Sequence, residues 1–364
     1  MLDSNQNPKM ALMKNPLRLL GLMVFCCCGV FAVSNAPAAE PYHFLKEIPI
    51  GGDGGWDYLS VDAAGRRLYV SHGTKVVVVD LDKEQVVGEI EDTPGIHGFV
   101  VAAELGRGFS SNGREAKASI IDLKTLKTIS KVDTGENPDA ILYETVHHEV
   151  YTFNGRANTF TAFEAGSGKV LATVPLPGKP EFAVEDPKVE RIYNNIEDKD
   201  EVVVIDAKEH KVVNTWPIAP GKSASGMAID LEHHRLFLGC GDNNLMVMMD
   251  STSGKVLDKV TIGQGVDANA FDPQTQYAFA SCGDGTVTIA HEDSPDKLTV
   301  VQTLKTQRGS RTMTLDPQTH KIYLAAVQYE GQADQKAGAP RQRPKMVPGS
   351  FKILVYGMDS AKRP

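Results

Sequence analysis

Apolar and polar positions alternate in short runs along residues 56–357, and residues typical of turns close each run. The segments KVVVVD at 75–80 and EVVVID at 201–206 are examples, each a run of β-branched residues that ends in an aspartate. Runs of this length and composition, bounded by Gly, Asp, Asn and Ser, predict β-strands joined by tight turns.

Two kinds of residue recur along these runs at an almost constant spacing. An aromatic residue returns after 40, 42, 42, 44, 42 and 44 positions, at Tyr69, Phe109, Tyr151, Tyr193, Phe237, Phe279 and Tyr323. An acid keeps the same step, at Asp80, Asp122, Glu164, Asp206 and Asp250. Four strands in about 42 residues is the period of a propeller blade, which must stack on neighbours to bury both faces. The sequence predicts an all-β protein, a seven-bladed β-propeller with four antiparallel strands in each blade.

The seventh copy lacks a fourth strand after FKILVYG at 351–357. The segment YHFLKEIPI at 42–50, ahead of the first copy, has the pattern of a strand. Pairing the two would close the ring with the N-terminal strand and leave no open sheet edge there.

The first 39 residues have the pattern of a signal peptide. Lys9, Lys14 and Arg18 precede an apolar run from Leu19 to Val33, and the small residues of Ala36-Pro37-Ala38 follow. We therefore expect a signal peptide at 1–39, a propeller at 40–364, and a periplasmic or extracellular location. An uncleaved membrane anchor is the alternative, although the run is short for a span. No membrane contact is expected after cleavage.

The charge of the chain limits its partners. The whole chain carries −8, and removal of residues 1–38 takes away three cations and one acid, a net of +2, which leaves −10. An acidic surface gains nothing from releasing the counterions of a nucleic acid, so no nucleic-acid partner is expected. A monomer that binds a small molecule or a protein is expected instead.

The blades resemble those of the YncE family of exported bacterial proteins, which carry the YVTN repeat. The similarity is clearest in RLYVSHGTKVVVVDLDKEQVVGEI at 67–90 and RIYNNIEDKDEVVVIDAKEHKVVNTW at 191–216, and Tyr69-Val70-Ser71 is close to the tetrapeptide itself. The resemblance implies a seven-bladed propeller with a role in nucleic-acid binding or at the cell envelope. The acidic charge disagrees with the first of these roles.

One polar residue per repeat should lie at the channel mouth, where the loops that enter the innermost strands converge. These residues, called the ring below, are Asp57, His97, Asp139, Glu181, Ser225, Asp267 and Arg311. Carboxylates with one imidazole suit a divalent metal ion, held by Asp57, His97, Asp139, Glu181 and Asp267. Arg311 could hold the carboxylate of a ligand. The alternative is a polar, hydrated mouth whose carboxylates pair with Arg311 or with water.

Three classes of function remain open from the residues. The first is an exported propeller that binds a small ligand, a metal ion or a protein at the mouth. The second is a metal-dependent hydrolase or lyase that uses the ring, with unknown catalytic residues. The third is a structural surface protein. The chain after residue 39 has no Cys-x-x-Cys-His, His-Glu-x-x-His or phosphate-loop motif, so those chemistries are not expected.

Several other residues leave two interpretations open. Trp56, Tyr58, Phe99 and Phe182 flank the ring, either as a wall for a ligand or as packing between blades. Cys240 and Cys282 occupy equivalent places in neighbouring blades, GCGD and SCGD, and are either a disulfide or two buried thiols.

Two further sets of polar residues lie in loops. The turns between the first and second strands of the blades, on the face away from the mouth, contain His147, His148, His233, His234 and His320. These histidines are expected to be solvated, whereas His72 could reach the mouth. Residues 329–350 interrupt the seventh blade with net charge +2 and could cover the mouth through Arg341, Arg343 and Lys345, or form a solvated loop.

Overall fold

The computed structural model describes residues 42–330 and 345–358. They form seven four-stranded antiparallel sheets, which confirms the predicted seven-bladed β-propeller. The predicted signal peptide lies outside the described residues, as do Arg341 and Arg343 of the long loop. In the described part, no helix is long and apolar enough to cross a membrane.

The first four blades follow one another along the chain. Blade 1 contains β2 to β5, at Trp56–Asp62, Arg67–His72, Lys75–Asp80 and Gln85–Ile90. Blade 2 contains β6 to β9, at Ile96–Ala102, Arg107–Asn112, Lys117–Asp122 and Lys127–Asp133. Blade 3 contains β10 to β13, at Pro138–Glu144, Glu149–Asn154, Thr159–Glu164 and Val170–Pro175. Blade 4 contains β14 to β17, at Pro180–Asp186, Arg191–Ile196, Glu201–Asp206 and Lys211–Pro217.

The last three blades complete the circle. Blade 5 contains β18 to β21, at Ala224–Asp230, Arg235–Cys240, Leu245–Asp250 and Val256–Thr261. Blade 6 contains β22 to β25, at Val266–Asp272, Tyr277–Cys282, Thr286–Ser294 and Lys297–Lys305. Blade 7 contains β26 to β28, at Met313–Asp316, Lys321–Ala326 and Lys352–Gly357, together with β1 at His43–Pro49. Two short 3-10 turns, at Ala103–Leu105 and Glu197–Lys199, are the described helical segments.

Strand β1 closes the ring as predicted. It pairs antiparallel with β28, with Ile48 opposite Ile353, so the outer strand of blade 7 comes from the other end of the chain. Tyr42 precedes β1 and is buried, and its hydroxyl donates a hydrogen bond to the carbonyl of His320 at 2.7 Å. The edge of β28 is thereby covered, which protects it from pairing with another chain.

The repeated aromatic residues lie in the second strand of every blade and form the core between blades. All seven are at most 2% exposed. Two of them also bond to the next blade, since the Tyr151 hydroxyl donates to the carbonyl of Ala207 and the Tyr193 hydroxyl to that of Ser251, both at 2.8 Å. The aromatic repeat therefore exists because each blade needs a large apolar side chain against its neighbour.

The repeated acids stabilise the turns after the third strands. The carboxylate of Asp80 accepts from the backbone N–H of Lys83, and that of Asp122 from Thr125, both at 2.8 Å. Asp250 accepts in the same way from Ser253 at 2.9 Å. A short acidic side chain that bonds to the backbone ahead of it fixes such a turn, so this column has a structural role.

Candidate functional site

Six of the seven ring residues lie within β-bulges at the start of the innermost strands. In β2 the register slips between Trp56 and Leu59, and in β6 between Ile96 and Phe99, so that Asp57 and His97 fall inside the irregular stretch. Bulges contain Asp139, Glu181, Ser225 and Asp267 in the same way. Arg311 precedes β26 by two residues. A bulge redirects side chains locally, and here it does so at the same place in six blades.

Buried polar side chains of the preceding blade hold these bulges in place. Ser71 donates a hydrogen bond to the carbonyl of His97 at 2.6 Å, and Ser111 to that of Asp139 at 2.5 Å. Asn195 donates to the carbonyl of Ser225 at 3.1 Å, and Ser281 donates to that of Arg311. These positioning residues were not predicted from the sequence, although a signal for them exists. It is the small polar residue two places after the repeated aromatic residue at Tyr69, Phe109, Tyr193 and Phe279.

Asp57, His97 and Asp139 form one group at the mouth, called the mouth cluster below. One potential ligand atom from each lies within 4.8 Å of the others. His97 Nδ1 is 2.6 Å from Asp57 Oδ2 and 3.6 Å from Asp139 Oδ1. All three side chains keep some exposure to solvent. The prediction that residues about forty positions apart become neighbours is correct for these three.

The surrounding acids make His97 a strong base. Burial by itself lowers the pKa of the imidazole, but the hydrogen bond to Asp57 and the charge of Asp139 outweigh burial and raise the pKa to about 9. His97 therefore carries a proton at neutral pH when no other cation is bound. It is the counter-charge of the two aspartates.

Two acids of the mouth, Asp139 and Glu181, keep their protons to a higher pH than free carboxyl groups do. Burial raises the pKa of Asp139 to about 6, with the charge of His97 working against it. Burial and the charge of Asp139 raise the pKa of Glu181 to about 8, although Lys179 is bonded to Glu181. Lys179 also donates to Glu197 at 2.6 Å, and its own pKa is raised by these acids despite its burial. The mouth thus contains more buried acid than its cations neutralise.

The ring residues Asp267, Arg311 and Ser225 are not part of the mouth cluster. Arg311 Nε lies 3.5 Å from Asp267 Oδ2, and burial raises the pKa of Asp267 to about 6 in spite of this cation. That oxygen is buried and has no hydrogen-bond partner among the described residues. Ser225 lies in the bulge of β18 and is neither acidic nor basic. Ring residues from blades 1, 2 and 3 thus form the mouth cluster, whereas Arg311 pairs with Asp267.

The four flanking aromatic residues divide into two pairs. Trp56 stacks on Phe351 with ring centroids 5.5 Å apart, and Phe99 stacks on Tyr69 at 4.4 Å, so both are packing residues. Tyr58 and Phe182 instead line a cavity of about 260 Å³ in the channel, together with residues of β22 and β26. Tyr58 lies close enough to Asp139 to lower the pKa of that acid, and burial together with the neighbouring acids raises the pKa of the Tyr58 phenol. Tyr58 therefore connects the mouth cluster to the channel.

Two other sequence interpretations are decided by the structure. Cys240 and Cys282 are free, buried thiols, and burial raises the pKa of each to about 12. His72 is buried, stacks on Phe351 at 4.5 Å and places Nδ1 3.2 Å from the carbonyl of Gly55. Burial lowers the pKa of His72, so it is a neutral packing residue near the mouth.

The histidines on the opposite face are not simply solvated, which corrects the sequence prediction. His320 Nδ1 is 2.6 Å from Asp272, and His234 Nδ1 is 3.6 Å from Asp186. His147 lies 3.3 Å from Glu144, and His148 lies 3.4 Å from Glu104. His233 contacts two acids, described below. Asp272, Asp186 and Glu104 belong to the preceding blades, so the sequence alone does not show these contacts. Glu144, in contrast, lies three residues before His147 in the chain.

The described ends of the 329–350 loop lie beside the mouth face. The N–H of Gly349 donates to Asp53, which precedes β2, at 3.2 Å, and Tyr329 bridges to Met346. Lys345 pairs with Glu330 at 3.5 Å and not with a ring acid. Coverage of the mouth by the rest of the loop stays a prediction.

Comparison with known proteins supports the fold. No protein-family model and no curated protein matches the sequence. Among solved structures, U3-55K is similar with a TM-score of 0.71 and 8% identity, over 86% of this chain and 98% of that one. A chain of the Kuenenia stuttgartiensis hydrazine synthase is similar with a TM-score of 0.65 and 15% identity, over 78% and 96%. This chain is thus of the β-propeller class, and identities this low carry no function.

Proposed function

We propose that this protein is a binding protein whose channel mouth takes up a divalent metal ion. The observation that carries the proposal is the convergence of Asp57, His97 and Asp139, whose ligand atoms lie within 4.8 Å of one another. Carboxylate oxygens with a single imidazole nitrogen suit Mn²⁺ in particular, because oxygen ligands dominate the set. Asp267 adds a further acid to the same mouth, with Arg311 Nε 3.5 Å from its Oδ2.

The proton on His97 gives the site a chemical signature. His97 can ligate through Nδ1 only after it loses the proton that its pKa of about 9 retains at neutral pH. Metal uptake therefore releases a proton, and the affinity rises with pH up to about 9. The ion then replaces protonated His97 as the counter-charge of Asp57 and Asp139.

Calorimetric titration of the chain with MnCl₂ at pH 7.5 tests the proposal, in two buffers of different ionisation enthalpy. We expect binding with proton release, and at least about a 10-fold weaker affinity in Asp139→Asn. Ser225→Ala, a ring residue of the same kind of bulge outside the cluster, is the matched control and should bind normally. Unchanged affinity in Asp139→Asn, or no binding by the parent at millimolar Mn²⁺, would reject the mouth as a metal site.

A metal-dependent hydrolase or lyase is the second candidate, and Glu181 favours it. Its pKa of about 8 leaves a protonated acid beside the metal ligands, as general acid catalysis requires. The test is turnover of chromogenic ester and phosphoester substrates with Mn²⁺. Activity that is lost in Glu181→Gln, while Mn²⁺ still binds, would support catalysis; the absence of metal-stimulated turnover would leave the binding function.

We also propose that the protein is exported and is related to the YVTN-repeat propellers. The leader pattern of residues 1–39 and the repeat at Tyr69-Val70-Ser71 support this proposal. Sequencing the N-terminus of the protein recovered from outside the cytoplasm should find a chain that begins near residue 39 or 40. Recovery of the uncut chain in the cytoplasm would count against export.

A further inference from the structure

Buried acids end the innermost strands of five blades on the face opposite the mouth. They are Glu144, Asp186, Asp230, Asp272 and Asp316, all at most 1% exposed. At three junctions the next blade supplies a basic side chain, so that Asp186 meets His234, Asp272 meets His320 and Asp316 meets Arg66. These basic residues occupy one repeated position, in the turn between the first and second strands of the next blade. The usual junction is therefore a buried acid matched by a base.

The junction between blades 5 and 6 departs from this rule twice. The position of the base is taken by neutral Gln276, so Asp230 receives no cation from it. A second acid, Glu292, is buried there as well. The backbone N–H of Glu292 bonds to the carbonyl of Gln276, an arrangement that other blades make with uncharged residues, at Leu81, Leu123, Ala165, Ala207 and Ser251. A basic residue is thus missing from its repeated position, and a second acidic residue has been added.

Asp230, His233 and Glu292 form a compact group at this junction, called the junction cluster below. His233 Nδ1 is 2.7 Å from Asp230 Oδ2 and 3.2 Å from Glu292 Oε1. These atoms are nevertheless not aligned as hydrogen bonds, and neither oxygen of Glu292 has a hydrogen-bond partner among the described residues. Ligand atoms that surround one small ion lie about 3 Å apart and point at the ion instead of at one another.

The surroundings orient the cluster and leave it short of positive charge. Asp230 is held through its other oxygen, which accepts from the backbone N–H of Glu232 at 2.9 Å, so Oδ2 is left for the cluster. The Glu292 side chain is fully buried, whereas His233 is 32% exposed and gives access from solvent. Arg235 is the nearby permanent cation, and its guanidinium already bonds Asp250 at 2.7 Å.

A comparison within the molecule shows that the arrangement is specific. The junction of blades 3 and 4 also places a second acid, Glu190, near a histidine, at 3.7 Å from His147 Nε2. The Glu190 side chain, however, is 43% exposed and is solvated, while that of Glu292 is fully buried. A buried pair of acids without a matching cation is costly unless a cation or a proton is shared between them.

We propose that the junction cluster is a second metal site, distinct from the mouth, which binds Zn²⁺ through Asp230, His233 and Glu292. Two carboxylates and one imidazole are three protein ligands of the kinds that zinc uses, and three leave the fourth tetrahedral position for water or an external ligand. Asp230 and His233 sit on one turn of blade 5, and Glu292 belongs to blade 6, so the ion would join the two blades.

The experiment uses the full chain with the mouth cluster disabled by Asp57→Asn and Asp139→Asn, so that failure of the mouth proposal does not affect the result. After dialysis against a chelator, Zn²⁺ binding is measured by calorimetry and by elemental analysis. We expect one Zn²⁺ per chain. In Glu292→Ala, which restores the residue of blades 3 and 4, the affinity should fall at least 100-fold. Ser251→Ala, the same position in blade 5, is the control and should bind as the parent does.

His233→Gln is a second test in case Glu292→Ala misfolds. His233 is partly exposed, so its loss should weaken Zn²⁺ binding without unfolding the blade. A second readout is the melting temperature, which Zn²⁺ should raise in the parent and not in Glu292→Ala. The proposal is overturned if the mouth-disabled parent binds no Zn²⁺, or if Glu292→Ala and His233→Gln bind it unchanged. If the two acids only share a proton, the mouth-disabled parent will bind no Zn²⁺.

Discussion

Tyr58 of blade 1 and Phe182 of blade 4 contact each other across the propeller axis, with ring centroids 5.5 Å apart. Blades 1 and 4 face each other in a ring of seven, so this pair narrows the channel directly below the mouth. Tyr58 also lowers the pKa of Asp139, so the residue that narrows the channel also acts on a member of the mouth cluster.

Removing the Tyr58 hydroxyl should raise the pKa of Asp139. The interaction with the Tyr58 hydroxyl favours the charged carboxylate of Asp139, so in Tyr58→Phe the pKa of Asp139 should move further above about 6. A ¹³C NMR titration of the aspartate carboxyl groups measures it. Phe182→Leu, which changes the partner ring and leaves the hydroxyl, is the control. An unchanged Asp139 titration in Tyr58→Phe would show that the Tyr58 hydroxyl does not act on Asp139.

The metal-free protein should lose stability as the pH rises from about 5 to 9. The folded-state pKa is raised for Asp139 and Asp267 to about 6, and for Glu181 to about 8. Between the ordinary and raised values the folded state binds more protons than the unfolded state, so the free energy of unfolding falls with pH. The free energy of unfolding, measured with urea in the presence of a chelator, should therefore decrease from pH 5 to pH 7 and again to pH 9.

His97 contributes to the upper part of the same pH range. Its pKa is raised from 6.5 to about 9, so its stabilising contribution is complete below 6.5 and is lost as the pH passes through 9. His97→Gln should flatten the decrease between pH 6.5 and 9, measured by chelated urea unfolding. His291→Gln, a partly exposed histidine paired with Asp293, serves as the control. An equal slope in His97→Gln and the parent would contradict the raised pKa.

The repeated aromatic column should be worth far more to stability than an aromatic residue on the surface. Phe237 is completely buried, and Phe237→Ala should lower the free energy of unfolding by about 3–5 kcal/mol because it leaves a cavity. Phe44 is 51% exposed, and Phe44→Ala should cost less than about 1 kcal/mol. Urea unfolding of the two variants compares them; similar losses would mean that the column is not the core.

Ring closure predicts a strong effect of shortening the chain at its N-terminal side. A chain that starts at Gly51 lacks β1, so β28 exposes an unpaired edge. We expect a lower melting temperature and concentration-dependent association, measured by calorimetry and light scattering. A chain that starts at Glu40 keeps β1 and is the control. Equal stability and a monomeric state for both chains would contradict closure by β1.

The candidate site could be predicted from the sequence only in part. The repeat period placed Asp57, His97 and Asp139 at one mouth as members of the seven-residue ring, because equivalent positions of a cyclic repeat must face the same axis. Only the structure separated these three from the other four. The period could not show that Ser71 and Ser111 fix the bulges, or that Lys179 bonds to Glu181. Those contacts depend on side-chain directions at the mouth, where the strands are irregular and alternation gives no guide.

The sequence by itself determined the seven blades and their closure, because the strand pattern, the repeated aromatic residues and the repeated acids share one period. Only the tertiary structure decided which charges meet. Asp230, His233 and Glu292 come from two blades, and their proximity follows from the angle at which one sheet packs on the next. The acids and the basic residues of these junctions occupy repeated positions in the chain, but which of them come into contact depends on how neighbouring blades pack.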